Sequence, residues 1–465
     1  MAEGDLDLDI ASLEAAIDAR DAEKFLVAAE ELHYADLAEV YEDLDEPARE
    51  FFTQHIGTER FPEILAELPD TLIEDTLERF ETDDQREILD QMLDDDRADV
   101  LQDVSSKARQ KYLSLLEPDD METTRSLMRY EEDTAGGRMT THAARIMQNM
   151  SVKEALDTLR ADQENAETLA RIYVINAAGK LVGKVRLRDL AFNAWDTPVE
   201  DIMREVDISI LATADQEDAA QMYTKYDMTL LPVVDEQDRL LGAITHDDVL
   251  EIIEEESTED IEKMSGIAGE QSEETYLNTA LGTHFRRRFP WLLILALLAI
   301  SSGYVMLRFE YVLNNIFLLA LYLPMVVAAG GNTGGQAATM VIRAMSLGEL
   351  EQGTTRRVIT KELSLGLMLG AVMGACIAMI TIGILPAFNP PLPESVSIAR
   401  FAAAVSIALS GQIVTSTLSG ALLPIGARAI KLDPAVVAAP AITTLVDISG
   451  MVIYFTAARM ILDVG

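Results

Sequence analysis

The sequence predicts a multidomain membrane protein in which an acidic, mostly helical region precedes a transmembrane domain of five α-helices. Residues 281–465 hold 12 Lys and Arg against 8 Asp and Glu, which leaves 25 against 71, a net charge of −46, for residues 1–280 of a chain whose total is −42. The segments that are long and apolar enough to cross a bilayer all lie in the C-terminal part. The chain therefore divides into a polar region and a membrane region.

The acidity of residues 1–280 limits the classes of partner. A surface of this charge repels nucleic acid and attracts cations, so we expect no nucleic-acid partner. Adaptation to a salty cytoplasm is the alternative origin of the charge, and the 27 Arg against 10 Lys are compatible with it. The first residues are acidic and lack an apolar signal segment, so we expect this region to stay in the cytoplasm.

Residues 1–135 are predicted to form a superhelical array of short helices. Apolar residues recur at helical spacing, as in FPEILAELPDTLIEDTLERF, and Pro47, Pro62 and Pro69 fall near expected helix starts. Such an array usually serves as a scaffold. The run Asp94-Asp95-Asp96 is either a solvated helix end or part of a cation sensor.

An internal repeat follows the helical array. The sequence IYVINAAGKLVGKVRLRDLA (172–191) matches LPVVDEQDRLLGAITHDDVL (231–250), and each copy reads as strand, turn, strand and helix start, preceded by a helix. The repeat resembles a tandem pair of α+β CBS domains, at 136–200 and 201–256. That resemblance implies a nucleotide site at Thr245 and Asp248 of the second copy. The first copy has Arg186 and Asp189 at these positions, so we expect ATP binding to be weak or absent.

Residues 257–284 are predicted to be a connecting, or plug, helix between the paired modules and the membrane. The acidic stretch EIIEEESTEDIEKM (251–264) begins the connector and is itself predicted to be helical. Glu251, Glu255 and Glu259 are spaced by four and can share one helix face, where like charges repel unless a cation lies among them. A plain solvated linker is the alternative interpretation.

Residues 285–465 are predicted to contain five membrane-spanning helices, each able to cross with some tilt. Nine Lys and Arg flank the ends that a cytoplasmic N-terminus would place inside, against three at the outer ends. The positive-inside rule therefore predicts a multi-pass plasma-membrane protein with its N-terminus in the cytoplasm and its C-terminus outside. The apolar segments are 290–307, 316–342, 363–385, 398–425 and 434–462.

Asp447 is the leading functional candidate because it lies inside the last apolar segment. A carboxylate near the bilayer centre is costly unless it faces water, a partner or a cation. Thr443 and Thr444 precede it by four and three residues and so lie on its helical side. The segment LPMVVAAGGNTGGQAAT and the fourth segment, with Gln412, Thr415, Ser416, Thr417 and Ser419, are also polar. Together these segments predict a hydrophilic path, although small residues also serve close helix packing.

The residue types favour a hard cation. The sequence has no His/Cys cluster for a soft metal, and its one cysteine, Cys376, lies in an apolar segment. Carboxylate, carbonyl, hydroxyl and amide oxygens suit Mg²⁺, which keeps most of its waters and needs one or two carboxylates. Ca²⁺ usually recruits more protein oxygens than one Asp supplies. There is no P-loop or other ATPase motif and we predict no catalytic residue, so the chain is expected not to be an enzyme.

The order of domains and several motifs resemble the MgtE family of magnesium transporters. The motifs are YEEDTAGGRMT, EEESTEDIEKM, RRRFPWLLI, GGNTGGQAAT and LDPAVVAAPAITTLVDISGMVIYF. The resemblance implies a homodimeric channel in the lipid membrane, with Asp447 in the pore and Gly331, Asn332 and Thr443 lining it. It also implies that cytosolic Mg²⁺ binds the acidic surfaces and closes the pore. The candidate sensor residues are Asp94, Asp95, Asp96, Asp247, Asp248, Glu251, Glu255 and Glu259.

Two other functions remain open. A transporter of another divalent cation, such as Co²⁺ or Mn²⁺, could use the same scaffold. A membrane-anchored nucleotide or ionic-strength sensor without transport is a different class, but a pure sensor has no need of an intramembrane carboxylate.

Overall fold

The computed structural model forms two compact units, Met1–Glu254 and Glu255–Gly465. The structure describes residues 3–161, 168–267, 276–277, 279–350, 353–388 and 391–464.

Short helices build the N-terminal part of the first unit, as the apolar spacing predicted. Asp45 caps α4 by accepting a hydrogen bond from the Ala48 N–H at 2.9 Å, and Pro47 and Pro62 lie in the first turns of α4 and α5. The aromatic side chains of Phe25 and Phe52 pack edge to face in the buried core. The helices are α1 Glu3–Asp18, α2 Ala22–Glu31, α3 Tyr34–Asp43, α4 Glu46–Ile56, α5 Phe61–Ala66, α6 Asp70–Leu77, α7 Thr82–Gln91, α8 Asp94–Asp103, α9 Ser106–Leu113 and α10 Pro118–Leu127.

The internal repeat folds into two small sheets, each with three strands in sequential order. In both copies the first strand pairs parallel to the second, and the second pairs antiparallel to the third. The Tyr173 hydroxyl donates to the Leu230 carbonyl at 3.0 Å, so the two modules share a buried contact. The strands are β1 Ala143–Met147, β2 Thr168–Ile175, β3 Leu181–Val185, β4 Ile210–Leu211, β5 Leu231–Val234 and β6 Leu240–Ile244, and the helices are α11 Val152–Ala161, α12 Leu187–Phe192, α13 Val199–Ile202 and α14 Gln216–Lys225.

Of the predicted range 257–284 for the connecting helix, residues 268–275 and 278 lie outside the described residues. The observed connecting helix, α15 His246–Met264, contains the whole acidic stretch 251–264 that was predicted to be helical. It begins directly after β6, where the Asp248 side chain accepts from the Thr245 N–H at 3.0 Å and satisfies a free donor of the first turn. It ends before Gly266, whose φ of +74° belongs to the left-handed region that stops a helix. Because local capping sets both ends, the acidic stretch belongs to a helix that continues out of the second module.

Five described helices in the second unit are long and apolar enough to cross a membrane, which confirms the predicted segments. Most are longer than their apolar stretches; α16 begins at Leu281 rather than Pro290, because a helix's backbone bonds continue into polar flanks. The bounds are α16 Leu281–Arg308, α17 Glu310–Asn315, α18 Leu318–Ser346, α19 Thr355–Ile384, a 3₁₀ helix Leu385–Phe388, α20 Ile398–Ala429 and α21 Pro434–Leu462.

Helix α20 is the most buried of the five membrane-length helices. Its backbone touches α18 closely, since a Cβ atom on Gly420 would lie 2.2 Å from the Gly334 carbonyl oxygen. Gln412, Ser416 and Thr417 are buried. The prediction of a hydrophilic path is therefore wrong for these three side chains, whereas Thr415 and Ser419 are only partly buried. The period of a helix does not say which neighbouring element its polar side faces.

Candidate ion path and cytosolic carboxylate clusters

A polar face of α18 and α21 is left uncovered by the rest of the chain. Thr443 and Asn332 are exposed, Asp447 is half-buried, and a Cβ atom on Gly331 would meet nothing within 4 Å. The neighbouring positions face inward, since a Cβ atom on Gly334 would lie 3.1 Å from the Ile442 side chain. None of the four predicted pore residues is therefore buried in the contact between α18 and α21.

The chemistry of this face suits an oxygen-liganded cation. Among the described residues, the Asp447 carboxylate has no hydrogen-bond or ion-pair partner. Nor do the described parts of the chain contain a group of three or more His, Cys, Asp or Glu residues that could hold a metal ion. One carboxylate, a hydroxyl and an amide would therefore bind a hydrated ion, with water or a second copy of the chain supplying further oxygens.

Asp94 is a buried and bonded group, which corrects its interpretation as a solvated helix end. It pairs with the buried guanidinium of Arg97, accepts from the Thr141 hydroxyl, and lies 3.1 Å from the His142 Nε2. Burial raises the pKa of Asp94, but the bonds from His142 and Thr141 outweigh it and lower the pKa to about 2. Asp94 thus links α8 to the start of the first CBS module.

Carboxylates from three helical regions act on Tyr34 through their charge, although the described residues do not include a group of three that could hold one metal ion together. Burial is the largest cause of the raised pKa of Tyr34, followed by the charges of Glu67, Asp247, Asp96 and Glu63. Asp96 and Asp247 are predicted sensor residues, whereas Glu63 and Glu67 escaped the sequence analysis although their spacing of four places them on one helix side. We call these four carboxylates the Tyr34 cluster.

Asp99 and Asp103 form a second acidic region on α8. Burial, with the neighbouring charges of Asp96 and Glu132, raises the pKa of Asp99 to about 8, although Arg138 opposes the shift. Burial together with Asp70 and Glu132 raises the pKa of Asp103 to about 7. Mainly because of burial, both carboxyl groups therefore take up a proton near neutral pH, and the neighbouring negative charges add to this effect.

These raised pKa values predict that the first unit loses stability as pH rises without Mg²⁺. Between the ordinary value of 3.8 and about 8, folded Asp99 keeps a proton that the unfolded chain has released, so the free energy of unfolding falls with pH. Each such carboxyl contributes up to about 1.4 kcal/mol per pH unit. We expect Asp99→Asn to flatten the pH dependence of the thermal midpoint of the detergent-solubilised chain. Asp119→Asn, at an exposed position of α10, should keep the wild-type slope; equal slopes for all three proteins would contradict the prediction.

The predicted nucleotide pair of the second module is bonded to itself. Asp248 Oδ2 accepts from the Thr245 N–H at 3.0 Å and lies 2.7 Å from the Thr245 hydroxyl, which also contacts Asp247. Burial raises the pKa of Asp248, although the bonds from Thr245 oppose the shift. These contacts cap α15 and leave the Thr245 hydroxyl already bonded inside the chain.

A basic cavity of about 420 Å³ lies instead in the first module. Its lining has four basic and three acidic residues, and Lys184 lies 3.5 Å from Asp207 and Arg204 lies 4.0 Å from Asp189. The small positive surplus contrasts with the acidity of the whole region and suits an anion. The sequence comparison of the two copies named Arg186 and Asp189 but missed the other basic residues, which come from different strands and a loop. The lining residues are Arg171, Lys184, Val185, Arg186, Asp189, Arg204, Glu205 and Asp207.

Within the second unit, the end of α15 is tied to three membrane helices. Lys263 Nζ lies 2.7 Å from Asp433, which caps α21, and 2.5 Å from Glu259. The Ser346 hydroxyl of α18 donates to Asp260 at 3.2 Å. Glu262 pairs with Arg287 of α16. Glu259 is therefore engaged with a lysine in this conformation.

Burial lowers the pKa of Lys263, but its bonds to Asp433 and Glu259 outweigh this effect and raise the pKa overall. The next residue, Met264, packs against a cluster that contains Ile442 and Val446, the neighbours of Thr443 and Asp447. The end of α15 thus reaches the helix that carries the intramembrane carboxylate.

The fold and the site together define an integral membrane transporter of cations. Family models agree with this class. A model described as "Divalent cation transporter", MgtE, matches residues 323–457, the MgtE intracellular N domain matches 32–133, and CBS domains match 135–195 and 199–255.

Curated relatives extend the match over most of the chain. The magnesium transporter MgtE of Thermus thermophilus is 36% identical over 79% of this chain and 80% of its own length. That of Bacillus subtilis is 31% identical over 93% of each chain. The chain belongs to the MgtE family, which confirms the resemblance. A solved structure, the cytosolic domain of the Mg²⁺ channel MgtE in complex with ATP, matches 52% of this chain and 99% of that chain at 35% identity, with a TM-score of 0.50.

Proposed function

We propose that the chain forms a homodimeric channel that imports Mg²⁺ down its electrochemical gradient. Asp447 carries this proposal, because it stands on a polar helix face that the single chain leaves uncovered. Two copies that join these faces would place two carboxylates around one hydrated ion. Proteins commonly bind Mg²⁺ through one or two carboxylates while the ion keeps several waters. The membrane potential, negative inside, favours entry of a divalent cation without another energy source.

The positive-inside rule supports an N-terminus in the cytoplasm and a C-terminus outside. Arg286, Arg287 and Arg288 precede the apolar part of α16, and Arg428 and Lys431 lie between α20 and α21. Mg²⁺ uptake by liposomes that contain the purified chain tests the proposal. Uptake of Co²⁺ or Mn²⁺ in preference to Mg²⁺ would favour the alternative cargo instead.

We further propose that cytosolic Mg²⁺ closes the channel. The Tyr34 cluster and the Asp99–Asp103 region hold like charges close together, so bound divalent ions would relieve repulsion in the compact state. Helix α15 begins at the acidic pair Asp247 and Asp248 and ends where Lys263 contacts Asp433. It therefore offers a continuous element through which ion binding and pore closure could be coupled reciprocally.

Nucleotide binding is a second candidate function, and the basic cavity of the first module favours it. The expected weakness of ATP binding rested on Arg186, which departs from the ribose-holding pattern in the first copy. In the second copy, which keeps that pattern, Thr245 and Asp248 bond to each other. The relative whose cytosolic domain was solved with ATP supports a nucleotide site in the cytosolic region. Arg171, Lys184, Arg186 and Arg204 supply positive charge for a polyphosphate, although the acidic lining residues Asp189, Glu205 and Asp207 offset most of it.

Calorimetry of the full chain with ATP, with and without Mg²⁺, distinguishes the two modules. We expect Arg171→Gln to weaken ATP binding about tenfold, because it removes a charge-assisted contact. Thr245→Ala should leave the affinity unchanged. Loss of ATP binding in Thr245→Ala with full binding in Arg171→Gln would place the nucleotide in the second module, and no measurable binding by the wild-type chain would end this candidate function.

A further inference from the structure

Gln412 of α20 joins the two helix segments that carry the polar face. Its side chain is fully buried, and its Nε2 donates to the Val446 carbonyl at 2.8 Å. Val446 immediately precedes Asp447 on α21. The same carbonyl oxygen also accepts a hydrogen bond from the Ser449 hydroxyl at 3.2 Å, so two side chains donate to it.

Two glycines make room for this amide. A Cβ atom on Gly330 of α18 would lie 2.4 Å from Gln412 Nε2, and a Cβ atom on Gly450 of α21 would lie 2.8 Å from the same nitrogen. Only the absence of both side chains lets the amide pass between the two backbones. Gly330 also directly precedes Gly331, so the Gln412 side chain is in contact with both polar segments at once.

Packing alone does not explain Gln412, because burying its amide destabilises the fold. Gln412 Oε1 is buried and has no hydrogen-bond partner among the described residues. A buried amide with an unsatisfied oxygen destabilises a fold relative to an apolar side chain of the same shape. If the side chain only filled this space, Met or Leu would make the fold more stable. The amide is therefore better explained by the hydrogen bond that its N–H donates to the Val446 carbonyl.

We propose that Gln412 is a positioning residue for ion binding, which fixes the rotation of α21 so that Asp447 points into the path. This inference rests on the proposed transport of Mg²⁺. A helix turned by one residue moves its side chains by about 100°, which would carry a carboxylate from the path into the bundle. The hydrogen bond to Val446 holds the rotation at the turn where the carboxylate is attached.

Gln412→Met is the direct test, because it keeps the length of the side chain and removes the amide. We expect the variant dimer to be at least as thermally stable as the wild type, since the unpartnered oxygen is gone. The Mg²⁺ concentration for half-maximal uptake should nevertheless rise about three- to tenfold, the loss expected for one interhelical hydrogen bond. Discrimination against Ca²⁺ should fall in the same experiment.

Gly450→Ala provides a second route to the same state, because its Cβ would push the amide away from Val446. We expect the same shift in half-maximal concentration, which keeps the inference testable if Gln412→Met does not fold. Ser406→Ala is the matched control. It removes a buried hydroxyl of α20 that has no partner among the described residues, and it should not change ion affinity.

The outcomes separate this inference from the proposed function. If Asp447→Ala abolishes uptake but Gln412→Met and Gly450→Ala keep the wild-type half-maximal concentration and selectivity, Gln412 has only a packing role and the inference is refuted. Wild-type uptake by Asp447→Ala would refute the proposed pore itself.

Discussion

Mg²⁺ uptake by liposomes that carry Asp447→Ala should fall to the level of protein-free liposomes, while the variant still folds and dimerises. The carboxylate is half-buried on the uncovered polar face, and no described side chain pairs with it. Its removal takes away the negative charge that offsets partial dehydration of the ion in a low-dielectric membrane. Uptake should be measured with a Mg²⁺-sensitive dye enclosed in the liposomes, at equal amounts of reconstituted dimer.

Two further variants separate charge from shape and from position. Asp447→Asn keeps the shape, and we expect it to lose most uptake because the charge is what attracts the ion. Asp463→Asn changes a carboxylate that follows the end of the same helix and should transport as the wild type does. Wild-type uptake by a folded Asp447→Ala protein would mean that the ion path lies elsewhere.

A channel that lacks three carboxylates of the cytosolic region should stay open at Mg²⁺ concentrations that close the wild type. We expect the combined variant Glu67→Gln, Asp96→Asn and Asp247→Asn to raise the closing concentration about threefold or more, since each replacement weakens attraction of the ion. All three side chains raise the pKa of Tyr34 through their charge. Glu255→Gln together with Glu259→Gln in α15 should shift closure in the same direction.

The matched control removes the same charge from a surface away from the Tyr34 cluster. Asp196→Asn, Glu200→Gln and Asp201→Asn lie at exposed positions of the first CBS module and should leave the closing concentration unchanged. Equal shifts in both triple variants would mean that the acidity acts only as general solvation in salt. Protection from proteolysis by Mg²⁺, but not by KCl of equal ionic strength, should accompany the specific effect.

The sequence was sufficient to predict those features that depend on patterns of residues close together in the chain. The five membrane helices followed from apolar length, and the helical array followed from spacing and from Pro47 and Pro62 at helix starts. The internal repeat gave two modules of equal topology. Asp447 could be singled out because a charge inside an apolar segment is costly whatever surrounds it. These properties depend on residues close together in the chain.

The tertiary structure decided which polar side chains face inward. Asp94 is buried against Arg97, and Gln412 lies between Gly330 and Gly450. From the sequence, both polar side chains were expected to be accessible. The basic cavity draws Arg171 and Arg204 from separate elements, which no local motif contains. Helical period places a residue on a face, but only packing determines what that face meets. The carboxylates around Tyr34 were likewise brought together from α5, α8 and α15, because charges distant in sequence become neighbours only when the chain folds.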